Sequence, residues 1–179
     1  MRALDVYESM YGNTHLIAEA IARGLRSAGS VQVASVADAR YEDVHRYDLL
    51  VVGGPTHAHG MSRTETRQSA LAAAEREPDH LPHLEPDAGG MGLGAWLDML
   101  GLCDGRAAAF DTRRQGPRLL TGHASKDIAG MLHEHGFHLV AEPISFIVDG
   151  HDCLLAGEEE QAERWGVGLA ATMPSSQEH

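Results

Sequence analysis

Ser9, Met10, Tyr11, Gly12, Asn13 and Thr14 bring hydroxyls, an amide and a glycine together just ahead of a helical pattern. Backbone N–H groups freed at a helix N-terminus, with the helix dipole behind them, attract anions. The segment holds no Lys or Arg and lacks the lysine of a nucleoside-triphosphate loop, so it suits a lone phosphate held by neutral donors. The same residues also suit a plain helix cap at Asn13 or Thr14.

A second segment, Gly53-Gly54-Pro55-Thr56-His57-Ala58-His59-Gly60, closes an apolar run. Two glycines let backbone approach a flat ligand, Pro55 stiffens the turn, and His57 and His59 offer planar rings and hydrogen bonds. A third, beginning at Asp111 and Thr112, carries Arg113 and Arg114.

The elements that must position these segments follow from periodicity. Residues 3–7 read as a strand. From Asn13, the apolar Leu16, Ile17, Ala20, Ile21 and Leu25 recur at helical spacing, with Gly29 placed to end the helix. Residues 31–36 alternate as an edge strand, and the continuous apolar run 47–54 suits a strand covered on both faces. Helices are expected at 62–76, 95–101, 122–136 and 158–173, strands at 107–111, 137–140 and 145–148, the last two split by Pro143. Proline-rich residues 78–94 read as a long loop. This alternation predicts an α/β fold, a doubly wound five-stranded parallel sheet with helices on both faces, in one domain over residues 1–173 with a polar tail at 174–179. Ligands of such sheets sit beyond the strands' carboxyl ends, which selects residues 8–14, 55–60 and 112–122.

Composition narrows the partners. The chain has 179 residues, 43% of them hydrophobic, and 14 Lys+Arg against 26 Asp+Glu give a net charge of −12. Neutralising phosphates takes Lys and Arg, so nucleic acid and anionic membranes are poor partners, whereas basic protein partners remain open. No apolar run approaches the roughly 20 residues of a membrane span. Two cysteines, outside any CxxC pair, fit a reducing cytoplasm.

The S-x-x-G-N-T loop followed by G-G-P-T after the next βαβ unit resembles the flavodoxin family, of the short-chain type. The resemblance implies a flavodoxin-like fold and bound FMN. Its phosphate would lie on Ser9, Met10, Tyr11, Gly12, Asn13 and Thr14, and its ring would be flanked by Pro55, Thr56, His57, Ala58, His59 and Gly60, with Asp111, Thr112 and Arg113 closing the other side. It further implies electron transfer between redox protein partners, with no structural metal. The alternatives are an FMN-dependent NAD(P)H:quinone-type oxidoreductase on the same fold and a flavin-free interaction module. The family's aromatic sandwich is replaced here by histidines and by Arg113 and Arg114, from which a less strongly reducing flavin is expected; the two arginines equally suit a solvated loop ion-paired with some of the 26 acids.

Other features carry less. Gly90, Gly92 and Gly94 follow a proline-rich loop instead of a strand and lack the GxGxxG spacing of a dinucleotide site. His133, His135 and His138 read as helix-end histidines in preference to zinc ligands. No GxSxG elbow is present.

Overall fold

The computed structural model describes residues 1–57, 60–61, 68, 72, 84–86, 89–117 and 122–174. Strands β1 (Arg2–Tyr7), β2 (Ser30–Ser35) and β3 (Leu49–His57) are joined through α1 (Asn13–Leu25) and a four-residue α2 (Val36–Ala39). After the short β4 (Gly60–Met61) come α3 (Leu93–Asp98), β5 (Arg106–Arg114), α4 (Ala124–Glu134), β6 (His138–Leu139), β7 (Ile144–Val148) and α5 (Glu158–Thr172). The order is β2-β1-β3-β5, and β6 and β7 both pair with β5 in parallel as two pieces of one fifth strand. The expected five-stranded parallel sheet is therefore present, with the expected break around Pro143.

Alternate residues of each strand face opposite layers. Leu4, Val6, Leu50, Val52, Ala107 and Ala109 pack with Trp96, Leu97, Ile128 and Leu132 of α3 and α4. Leu49, Val51, Ala108 and Phe110 pack with Ile17, Ile21, Ala162 and Leu169 of α1 and α5. Phe110, Phe146 and Trp165 meet edge to face at 6.2 to 6.5 Å, an arrangement that favours the ring quadrupoles. Helices α1 and α5 cross at two glycines. A Cβ on Gly24 would stand 2.2 Å from the Glu163 carbonyl oxygen, and one on Gly166 would stand 2.2 Å from that of Ile21.

Several boundaries differ from expectation. β3 runs on to His57 and pairs with β4 in antiparallel fashion, Thr56 opposite Met61 and His57 opposite Gly60, so 55–57 is strand and not loop. β5 likewise continues through Thr112, Arg113 and Arg114, because Ile144–Val148 extends the ladder beside it. Pairing with β4 just downstream, and for β5 with the distant β7, supplies the backbone partners that make these residues strand. Val36 opens α2 instead of ending β2, with Ser35 Oγ accepting from the Asp38 N–H at 3.3 Å. Leu93 and Gly94 belong to α3 and not to the preceding loop. The expected helix at 62–76 lies almost wholly outside the described residues, as do Ala58 and His59. Among the described residues no helix is long and apolar enough to cross a membrane.

Candidate functional site

The loop after β1 and the ends of β3 and β5 meet at the carboxyl edge of the sheet. Gly12 caps α1 with φ 87° and no side-chain hydrogen bond. Left-handed backbone of this kind favours glycine, and the uncapped first turn leaves amide donors suited to a phosphate oxygen. The neutral donor set of residues 9–14 therefore fits a phosphate-bearing cofactor. Within the loop, the Gly12 N–H donates to Ser9 Oγ at 3.0 Å. Ser9 and Met10 are buried, Met10 at 2% exposure and thus a packing anchor.

Thr14, at the first turn of α1, is buried, and its Oγ1 lies 2.8 Å from Thr112 Oγ1 on β5. Asn13 Nδ2 donates to the Asp152 carbonyl at 2.6 Å. These bonds tie two of the expected segments to each other and to the turn after β7.

The other face of β5 carries Asp111, which is fully buried. Its Oδ2 accepts from the Ser125 N–H at 2.8 Å and from Thr56 Oγ1 at 3.1 Å, and Thr56 Oγ1 in turn accepts from the Ala124 N–H at 3.0 Å. A carboxylate and a hydroxyl thus satisfy the N-terminus of α4 and lock the end of β3 to it. Arg113 is buried, and its Nη1 donates to the carbonyls of Arg114 and Gly116, each at 3.3 Å.

Of the two readings of Arg114, an added positive charge and an ion pair with one of the chain's acids, the structure shows the ion pair. Arg114 Nε and Nη2 donate to the two carboxylate oxygens of Asp152 at 3.2 and 2.9 Å, a bidentate pair that offsets its charge and raises the guanidinium pKa. Tyr11 lies within the field of this pair: burial first, then the Asp152 carboxylate, push its hydroxyl pKa up, and Arg114 opposes them.

Two participants were not legible as site residues. Asp152 holds φ 57°, uncommon for a residue other than glycine, in a turn where Asp149 Oδ1 accepts from the His151 and Cys153 N–H groups at 2.8 and 3.0 Å. Glu85 reaches the first loop: its N–H donates to the Met10 carbonyl at 2.8 Å, and its Oε1 lies 3.1 Å from His15 Nδ1. The His15 ring stacks on Tyr7 at 4.5 Å with 9° between planes. The one local signal for the Asp149 turn was its Asp-Gly-His-Asp composition; Glu85 had none.

Glu8 serves structure: its Oε2 accepts from the Leu93 N–H at 2.7 Å and caps α3 from 85 residues away. Among the described residues no group of three or more His, Cys, Asp or Glu converges as a metal cluster.

Comparison with solved structures places the fold among flavodoxins. A flavodoxin from the domain Archaea is 20% identical with a TM-score of 0.64, the match covering 96% of this chain and 97% of that one. Oxidised Flavodoxin 1 from Bacillus cereus is 18% identical, TM-score 0.65, over 97% and 100%. The Streptococcus pneumonia TIGR4 flavodoxin is 17% identical, TM-score 0.63, over 97% and 100%. No match is found among curated proteins. The sequence model of the family described as Flavodoxin matches residues 6–117, a span that holds the first loop, β3 and β5, and on that match the chain belongs to the flavodoxin family.

Proposed function

We propose that the chain binds FMN at the carboxyl edge of its sheet and carries electrons between redox proteins. The observation that carries this reading is the uncapped N-terminus of α1 at Gly12, set in a loop of neutral donors within the flavodoxin family match. Ser9, Met10, Tyr11, Gly12, Asn13 and Thr14 would hold the phosphate. Pro55, Thr56, His57, Ala58, His59 and Gly60 would flank one side of the ring, and Thr112 and Arg113 the other. Asp111 would act from beneath, holding Thr56 and α4 in place. When bound, the flavin supplies the one- and two-electron chemistry, and the protein supplies anchoring, orientation and partial exclusion of water.

The net charge of −12 supports basic redox partners in short-lived, salt-sensitive encounters. Cys103 and Cys153 are both free thiols, which suits a cytoplasmic protein folded as one domain over residues 1–173.

The deciding experiment is the absorbance spectrum of the purified protein, followed by chromatography of what denaturation releases. Flavin bands and released FMN are expected, and a colourless protein that takes up no added FMN rejects the reading. Incubation with NAD(P)H and a quinone then separates carrier from enzyme: no turnover without an added reductase is expected, and fast turnover supports an oxidoreductase.

A further inference from the structure

Glu85 stands against the first loop although it is 70 residues from His15 along the chain. Two anchors hold it there, its N–H on the Met10 carbonyl at 2.8 Å and its Oε1 3.1 Å from His15 Nδ1. The same Oε1 lies 3.5 Å from the point where a Cβ on Gly12 would stand. Gly12 is the cap of α1, which has no side-chain cap and no acid in its first turn. Glu85 therefore brings to the N-terminus of α1 the negative charge that the helix's own sequence omits, and the positive end of the dipole favours it there.

A phosphate group would use that same terminus. Residues 9–14 contain no Lys or Arg to offset a second anion, and among the described residues the carboxylate's ion-pair partner is His15. Two like charges at one helix end repel, and the one held covalently in the chain is always present.

We propose that the Glu85 carboxylate competes with the phosphate of the cofactor for the N-terminus of α1. Flavin phosphate is then held exchangeably, and the charge on Glu85 sets the preference between phosphorylated and unphosphorylated flavin. The inference rests on the flavin reading above for the identity of the phosphate, but not for the competition itself.

Glu85→Gln keeps the size of the side chain and its hydrogen bond to His15 while removing the charge. Both proteins are titrated with FMN and with riboflavin by flavin fluorescence, and with inorganic phosphate by the midpoint of thermal unfolding. FMN should bind Glu85→Gln about three- to tenfold more tightly than the wild type. Riboflavin affinity should not change, and phosphate should raise the variant's midpoint more than the wild type's. FMN affinity that is unchanged or weaker, or FMN and riboflavin affinities that shift together, would make Glu85 a strut of the loop and overturn the proposal. If neither protein binds either flavin, the flavin reading fails, and the phosphate arm decides alone: stronger stabilisation of the variant upholds the competition, and equal or no stabilisation rejects it.

Discussion

The hydroxyls of Thr14 and Thr112 lie 2.8 Å apart in the buried layer between the first turn of α1 and the end of β5. A buried hydroxyl that loses its partner carries its full desolvation penalty, whereas removing both partners removes the penalty as well. Thr14→Val and Thr112→Val should each lower stability by about 1–3 kcal/mol, and the double variant should lose less than the sum. Urea unfolding of the four proteins measures the coupling, and strict additivity would show that the pair does not matter.

Asn13→Ala and Thr14→Ala each remove a bond that holds the first loop in place, to the Asp152 carbonyl and to Thr112 Oγ1, and each should weaken FMN binding by about 1–3 kcal/mol. Fluorescence titration checks it. Unchanged affinity in both would place the phosphate elsewhere.

Asp152→Asn should leave the turn intact and release the Arg114 charge that the carboxylate now offsets. A positive charge left uncompensated within the field of a bound flavin favours the reduced, anionic form, so the midpoint potential should rise. A spectroelectrochemical titration reading an unchanged or lower potential would mean that this pair lies outside the flavin's field.

The crossing of α1 and α5 predicts opposite outcomes for glycines in one helix. Gly166→Ala must force backbones apart and should cost about 1–3 kcal/mol, with Gly24→Ala similar. Gly168, whose added Cβ would meet nothing within 4 Å, should instead gain about 0.5–1 kcal/mol as alanine. Thermal and urea unfolding of the three variants distinguish the two classes.

Asp5 sits fully buried in the middle of β1, both carboxyl oxygens without a hydrogen-bond partner among the described residues. Burial, with Glu19 adding to it, raises its pKa well above the ordinary carboxylate range. The folded chain thus binds a proton that the unfolded chain releases at about pH 4. The contribution of Asp5 is most favourable below that pH and declines as pH rises from there to the raised folded value. Asp5→Asn should remove this decline, so its stability relative to the wild type should grow with pH across that window, with a slope of up to about 1.4 kcal/mol per unit. Parallel stability curves for the two proteins would show that the carboxyl finds a partner in solution.

The N-terminus of α1, the two-sided burial of β3, the edge position of β2 and the break at Pro143 were all readable from the chain. Each depends on residues close in sequence: a Gly-Asn-Thr turn, an apolar run, an alternation, a ring that donates no N–H. The same local logic identified the loop after β1 and marked the segments at the ends of β3 and β5 as the place to look for a ligand.

What tertiary structure alone decided is how far those strands run and what their side chains meet. Thr112, Arg113 and Arg114 are strand because β7 lies beside them, and Arg114 is paired because a turn 38 residues away presents Asp152. Glu85 meets His15 of α1 and Glu8 caps α3 from 70 and 85 residues away. A helix terminus or a cation takes whichever partner the folded chain carries within a few ångströms, and that choice is set by packing across the whole sheet, where spacing along the chain holds no record of it.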